Sequence, residues 1–269
     1  MRSEWISRAL FPFALFYLAF LYVPVLLLPL FSFNDNVYVS FPLKGFTTKW
    51  YGAMLANQAL IDAFVASLKV GLWVSVVSTA IGMLAAMAMT RYRFPGKATI
   101  TSAIMLPLVI PYIILGVSLL SLVRQVLDFD LSLWTITASH VLVCVPLAML
   151  VLMSRLEGFD KSLEEASLDL GESAWRTFWR VTFPLAMPGI VSSFLLCFST
   201  SFDEFVLAFF LSGTDPTLPI YIFSTLRFPS KIPGVLALGS CILLGSIIII
   251  VFAEWYRRRG IQSETGSIV

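Results

Sequence analysis

The sequence predicts an all-α polytopic membrane protein with six transmembrane helices. Of its 269 residues, 58% are hydrophobic and only 13% are charged, whereas soluble domains carry about 25% charged residues. This number of charges is too small to cover a surface that faces water. The apolar excess therefore indicates a lipid environment. Six apolar stretches are also long enough to cross the hydrocarbon core, which takes about 20 helical residues. The net charge of +2 is too small to indicate nucleic-acid binding.

The six stretches account for most of the chain, and we expect one membrane domain over residues 1–269. The first is longer than the apolar segment of a signal peptide, and no small-residue cleavage motif precedes Asn34, so we expect it to be retained. Prolines in four of the stretches indicate kinks, which leaves open whether a helix bends there to line a pathway. The stretches are Ala9–Phe33, Ala63–Thr90, Ala98–Val123, Leu133–Met153, Leu185–Leu211 and Gly234–Trp255.

The distribution of lysine and arginine predicts the orientation in the membrane. Basic residues concentrate in cytoplasmic segments. Both termini and the two connections on their side carry twelve: Arg2, Arg8, Arg91, Arg93, Lys97, Arg155, Lys161, Arg176, Arg180, Arg257, Arg258 and Arg259. The opposite side carries five: Lys44, Lys49, Arg124, Arg227 and Lys231. We therefore expect cytoplasmic N- and C-termini.

A long cytoplasmic loop, about residues 154–184, has the pattern of a short helix. Ser162 followed by Glu165 matches a capping box, so we expect a helix start near Ser162. Gly171 interrupts the run, as a helix end or a point of close contact would. One face of the predicted helix is apolar: Ala166, Leu170 and Ala174.

This loop pattern has two physical interpretations. The helix could lie on the inner membrane surface, with Arg176 and Arg180 reaching lipid phosphates. Alternatively, the loop could present a rigid helix to a cytoplasmic partner. Periodicity alone does not choose between the two.

The spacing within the loop resembles that of permease subunits of ABC importers. Their pattern is Glu-Ala-Ala, three residues, glycine, nine residues, then Ile-x-Leu-Pro. Here the corresponding segments are Glu165-Ala166-Ser167, Gly171 and Val181-Thr182-Phe183-Pro184. Five further segments resemble the second permease subunit of spermidine/putrescine importers: residues 45–51, 91–94, 139–140, 154–156 and 184–188.

The resemblance implies a type I ABC importer permease fold in a bacterial inner membrane. It implies that the loop docks on an ATPase, and it assigns this coupling to Glu165, Ala166, Ser167, Asp169, Gly171 and Pro184. The implied partners are a second, distinct permease subunit, a dimer of ATP-binding subunits, an extracytoplasmic substrate-binding protein and membrane lipid. ATP and Mg would be bound by the partner ATPase, and this chain itself would hold no cofactor or metal.

Two adjacent carboxylates lie inside the fifth apolar stretch, at Asp203 and Glu204. An ionised carboxylate in hydrocarbon costs about 2.5 kcal/mol or more, so each should face a wet cavity or a partner. A pathway for a polyamine or another small organic cation would use such groups, with Phe202 and Phe205 adding cation–π contacts. The resemblance supports this assignment. The alternative is a structural ion pair with Lys69 or with a partner subunit.

Other function classes have less support. Gly96-Lys97 is followed by Ala98 and lacks the spacing of a phosphate-binding loop, so this chain should not hydrolyse ATP. His140, the sole histidine, is expected to form a helix–helix hydrogen bond. An intramembrane enzyme is disfavoured by missing motifs, and an ion-coupled secondary transporter by the lack of an internal repeat. An importer permease for another small solute, such as an amino acid or an opine, remains open.

Overall fold

The computed structural model describes the backbone of residues 2–265 and the side chains of residues 10–248 and 251. This part of the chain is helical and contains no β-strand, only an isolated bridge between Asn34 and Phe46. Its α-helices are α1 (Arg2–Ser32), α2 (Lys49–Ala56), α3 (Gln58–Arg91), α4 (Lys97–Val109), α5 (Tyr112–Ser121), α6 (Leu133–Glu157), α7 (Ser162–Asp169), α8 (Ala174–Thr177), α9 (Phe183–Asp203), α10 (Val206–Leu211), α11 (Leu218–Thr225) and α12 (Ile232–Thr265).

The helices include the six predicted spans. Five continuous helical segments are long and apolar enough to cross a membrane: Leu10–Ser32, Gln58–Arg91, Leu133–Glu157, Ala174–Asp203 and Pro229–Ile248. The bent pair Lys97–Val109 and Tyr112–Val126 supplies the sixth. The helix bounds do not give the side of the membrane that each end faces, so the cytoplasmic position of both termini stays a prediction, and residues 1 and 266–269 lie outside the described residues.

The third span, predicted over Ala98–Val123 with kinks at its prolines, is divided into the two helices α4 and α5. It bends by 101° between α4 and α5. Ile110 is extended, with ψ of 129°, and Pro111 follows it. The cause is steric, since a proline ring excludes the helical conformation at the preceding residue and supplies no N–H for the helix.

The fifth span is also broken, whereas the sequence predicts one helix over Leu185–Leu211. Helix α9 ends at Asp203, Glu204 is extended with ψ of 118°, and α10 starts again at Val206. Neither proline nor glycine stands at this break. The interruption instead depends on the side chain of Glu204, which caps the new helix as described below.

The chain packs as two compact units, one of them Asp62–Phe223 and the other drawn from residues 1–61 and 224–269. Within the second, α1 and α2 pack against α12. Within Asp62–Phe223, α6 packs along α9, and α5 packs against α10. The cysteines are free: Cys144 and Cys197 are buried, and Cys241 is exposed.

One buried cluster brings the two breaks together. Leu207 of α10, Leu115 of α5 and Val143 of α6 form its centre, and Ile110 and Tyr112 pack against it. The bend in the third span and the start of α10 in the fifth span therefore pack against the same apolar cluster.

Helices α3 and α6 approach each other closely at a glycine. A Cβ atom built on Gly82 would lie 2.6 Å from the Cβ of Ala148 and 3.0 Å from the backbone nitrogen of Met149. The backbone atom cannot move aside as a flexible side chain could, so the contact requires glycine.

Replacing Gly82 with alanine should therefore destabilise the protein by about 1–3 kcal/mol through overpacking. Gly245→Ala is the matched control, since it makes the same exchange inside a helix where, in the part of the chain that the structure describes, no atom beyond the local helix backbone lies within 4 Å of the added Cβ. Thermal unfolding in detergent, followed by size-exclusion chromatography, measures the difference. Equal unfolding midpoints for the two variants would contradict the close approach of α3 and α6.

Candidate functional site

The loop helix α7 begins at Ser162, as the sequence predicts, but without the predicted capping box. The N-cap position is Lys161, and no side chain caps the helix there. Oδ1 of Asp160 instead accepts the Ser162 N–H at 3.0 Å. Hydrogen bonds from the backbone and side chain of Ser162 lower the pKa of the exposed Asp160 carboxyl below its ordinary value. The capping box fails because Ser162 already lies within the first helical turn.

Gly171 ends the loop helix by a reversal of the backbone. Its φ is +88°, in the left-handed region that favours glycine. The Gly171 N–H donates to the Leu168 carbonyl at 2.9 Å, and the Glu172 N–H donates to the Ser167 carbonyl at 3.2 Å. This pair of bonds is a Schellman motif, which satisfies the last carbonyls of the helix. Among the described residues no atom crowds a Cβ at Gly171, so its conformation is the reason for the glycine.

The residues that the resemblance assigns to coupling lie mainly on an open surface. Ser167 is half-buried, and its hydroxyl lies 3.0 Å from the hydroxyl of Thr177. Two large apolar side chains stand beside them, with Leu170 86% exposed and Trp175 70% exposed. The other assigned residues are all exposed: Glu165, Ala166, Asp169, Gly171 and Pro184. Apolar groups exposed beside a rigid helix are typical of a protein contact.

The two arginines of the lipid-binding interpretation are paired within the loop. Arg176 lies 3.5 Å from a carboxylate oxygen of Glu172, and Arg180 contacts the other oxygen of the same carboxylate. Both arginine side chains are about two-thirds exposed, at 67% and 68%. The single carboxylate of Glu172 therefore offsets one of the two positive charges, and both guanidinium groups stay accessible.

A buried ion pair on the inner side of the loop helix was not predicted. Arg91 Nε lies 2.7 Å from Glu164 Oε2, and the two side chains are 11% and 16% exposed. The Thr182 hydroxyl donates to Glu164 Oε1 at 2.8 Å. Arg91 and Glu164 are 73 positions apart, so periodicity could not pair them. The available signal was an arginine that directly follows an apolar stretch.

Asp203 and its neighbouring phenylalanines lie around the break in the fifth span. Asp203 is the last residue of α9, and its side chain is exposed. The Phe202 ring stacks on Phe198 at 5.8 Å between centroids, and it meets Phe64 edge-on at 6.2 Å. Phe205, after the break, lies 5.0 Å from the Phe223 ring. The arrangement places an accessible carboxylate next to aromatic surface.

Glu204 occupies a different setting from its neighbour. Its side chain is 8% exposed and accepts three backbone N–H groups of α10: Val206 at 2.9 Å, Leu207 at 2.8 Å and Ala208 at 3.2 Å. A negative group in this position stabilises a helix N-terminus by bonding its free donors and by opposing the helix dipole. The structure thus separates the two carboxylates, one exposed and the other used as a cap.

His140 of α6 connects to the same cap. Its Nε2 lies 3.3 Å from Glu204 Oε2, and its Nδ1 lies 2.9 Å from the Ser201 hydroxyl. The histidine is buried, at 2% exposure, and makes the helix–helix hydrogen bond that the sequence predicts. It therefore holds α6 against both sides of the break.

Comparison with known proteins identifies similar chains. The family described as binding-protein-dependent transport system inner membrane component matches residues 78–261. The spermidine/putrescine transport system permease protein PotC of Haemophilus influenzae is 34% identical over 258 residues, covering 96% of this chain and 98% of that one. The putrescine transport system permease protein PotI of Escherichia coli is 36% identical over 244 residues, covering 88% and 86%.

The fold is shared with a solved transporter. A bacterial alginate ABC transporter, crystallised with an alginate pentasaccharide-bound periplasmic protein, contains a chain that superposes with a TM-score of 0.72. The match covers 96% of this chain and 95% of that one, at 16% sequence identity. At this identity the similarity concerns architecture, and it agrees with the importer permease fold that the sequence predicts.

Proposed function

Since the chain belongs to the family of binding-protein-dependent transport system inner membrane components, we propose that it is the permease subunit of an ATP-driven importer for polyamines. The observation that carries the substrate class is near full-length similarity, at 34% and 36% identity, to permeases named for spermidine and putrescine. The exposed carboxylate of Asp203 in a membrane span supports the same chemistry, since a polyamine carries several ammonium groups.

The proposed transport pathway passes the break in the fifth span. Asp203 replaces water around an ammonium group, and Phe202 and Phe205 offer aromatic faces to the cation. Glu204 belongs to the same proposed site as a positioning residue, because its side-chain cap sets where α9 ends and therefore where Asp203 lies.

The proposed assembly contains three kinds of protein partner. A distinct second permease completes the pathway, and an extracytoplasmic binding protein delivers the solute. A dimer of ATPase subunits, which binds ATP and Mg, docks on the loop residues Glu165, Ala166, Ser167, Asp169, Gly171 and Pro184. The whole chain forms one inner-membrane domain with cytoplasmic termini, and it carries no ATPase activity of its own.

Reconstitution tests this function. The chain would be purified with partner subunits encoded beside it and placed in proteoliposomes with the binding protein. We expect ATP-dependent uptake of labelled putrescine or spermidine. Competition by an amino acid or an opine, without competition by polyamines, would assign a different solute. Uptake that persists without the ATPase subunit would indicate an ion-coupled secondary transporter instead.

A further inference from the structure

The loop helix α7 has only short covalent links to the membrane helices. Residues 158–161 connect it to α6, and residues 170–173 connect it to α8. Each link contains a glycine, Gly158 and Gly171. Backbone hydrogen bonds close the turn at each glycine, but they lie within the links, so side-chain contacts determine how rigidly α7 is held against the spans.

Glu164 supplies those contacts in two directions. Its carboxylate binds Arg91, the last residue of α3, through Nε at 2.7 Å and Nη2 at 3.2 Å. It also accepts the hydroxyl of buried Thr182, just before the start of α9, at 2.8 Å. One carboxylate therefore ties the loop helix to the second and the fifth spans.

Arg91 extends the connection to the fourth span, α6. Its Nη1 donates to the carbonyl of Leu156, in the last turn of α6, at 3.3 Å. The Phe159 ring covers the guanidinium, with 4.7 Å between Cζ and the ring centroid. Lys161 adds a further link, since its Nζ donates to the Thr90 carbonyl at 3.2 Å.

Burial makes this connection stiffer than a surface ion pair. Water reaches little of either side chain, so the attraction is less screened than in the exposed pair of Arg124 and Asp130. The adjacent residue, Glu165, points about 100° away around the helix and is exposed. The two neighbouring glutamates thus face opposite environments, one the solvent and the other the spans.

We infer that Arg91, Glu164 and Thr182 form a brace that transmits displacement of the loop helix to the second and fifth spans. The inference rests on the proposed function, in which an ATPase moves this loop. Glu164 and Arg91 are positioning residues: their side chains bind each other and groups of the spans, and through these bonds they convert motion of the loop helix into motion of the spans. Without the brace, α7 would move with the ATPase, and less of that movement would reach the second and fifth spans.

The ratio of ATP hydrolysed to solute imported tests the brace in the reconstituted importer. Glu164→Gln, which preserves size, should raise this ratio about fivefold or more, as expected for loss of a typical coupling energy. Arg91→Lys should raise the ratio because lysine cannot hold Glu164 and the Leu156 carbonyl together. Thr182→Val should raise it less, since the ion pair remains. Asp130→Asn, which removes an exposed partner of Arg124, should leave the ratio unchanged.

Hydrogen exchange gives a second readout that does not depend on transport. In Glu164→Gln, the amides of Leu170, Gly171 and Glu172 should exchange faster than in the wild type, while the amides of α6 keep their protection. General misfolding would instead raise exchange throughout the chain.

Three results would overturn the inference. The first is a wild-type ratio in an assembled Glu164→Gln or Arg91→Lys importer. The second is unchanged exchange at the end of α7 in Glu164→Gln. The third is failure of all three variants to assemble, which would make these residues a requirement of folding rather than of transmission. A wild-type importer without ATP-dependent uptake would reject the proposed function itself, and that result is visible before any variant is measured.

Discussion

Replacing Gly171 with glutamate should abolish the ATP hydrolysis that solute-loaded binding protein stimulates, while the permease still inserts into the membrane. A side chain at φ +88° is strained by about 1–2 kcal/mol, and the bonds to the Ser167 and Leu168 carbonyls depend on that conformation. The new carboxylate would also stand on the exposed face proposed to dock the ATPase. We therefore expect the hydrolysis rate with solute-loaded binding protein to equal the rate without it.

Asparagine at the same position separates the backbone effect from the docking effect. Asparagine tolerates the left-handed conformation better than glutamate and adds no charge, so Gly171→Asn should retain most of the stimulated activity. ATPase assays on matched amounts of assembled complex provide the measurement. Normal stimulation in an assembled Gly171→Glu complex would reject the assignment of this loop to coupling.

Replacing Asp203 with asparagine should lower polyamine uptake by about tenfold at low solute concentration, which corresponds to about 1.4 kcal/mol of lost attraction. The exposed carboxylate is the proposed partner of an ammonium group, and the amide that replaces it carries no charge. Thermal stability should stay close to that of the wild type. Asp130→Asn is the control, because it removes another exposed carboxylate outside the proposed pathway.

Glutamine at position 204 should have the opposite signature, with reduced stability as its main effect. Glu204 accepts backbone N–H groups on both of its oxygens, and glutamine offers one oxygen and a competing donor. A buried donor without a partner costs about 1–3 kcal/mol. Polyamine uptake should therefore fall mainly in Asp203→Asn, and the unfolding midpoint should fall mainly in Glu204→Gln. Unchanged polyamine uptake in Asp203→Asn would argue against its place in the pathway.

The sequence predicts the elements whose causes are local. Apolar stretches of sufficient length mark the spans, and Gly171 marks the end of the loop helix because a left-handed residue is a property of one position. Proline is a weaker guide. Pro111 accompanies a sharp bend, whereas Pro146 and Pro188 lie within continuous helices, and surrounding packing decides between these outcomes.

The elements that the sequence does not predict depend on distant partners. The break at Glu204 contains no helix-breaking residue, and it involves His140, a residue of another helix, next to the capping carboxylate. The pair of Arg91 and Glu164 joins residues 73 positions apart. For Arg91 only the fold supplies the carboxylate that compensates the charge, whereas Glu204 caps N–H groups of its own stretch and the fold adds the neighbouring histidine.

The interruptions beside Pro111 and Glu204 also limit which side of the subunit can face the lipid. Peptide groups that leave a helix lose their internal hydrogen-bond partners, and lipid tails offer none, so such segments are tolerated only against protein or water. Both interruptions rest on the same cluster around Leu207. The side of the subunit that carries these two interruptions therefore cannot face lipid. The acyl chains must contact a side that is formed by unbroken helices.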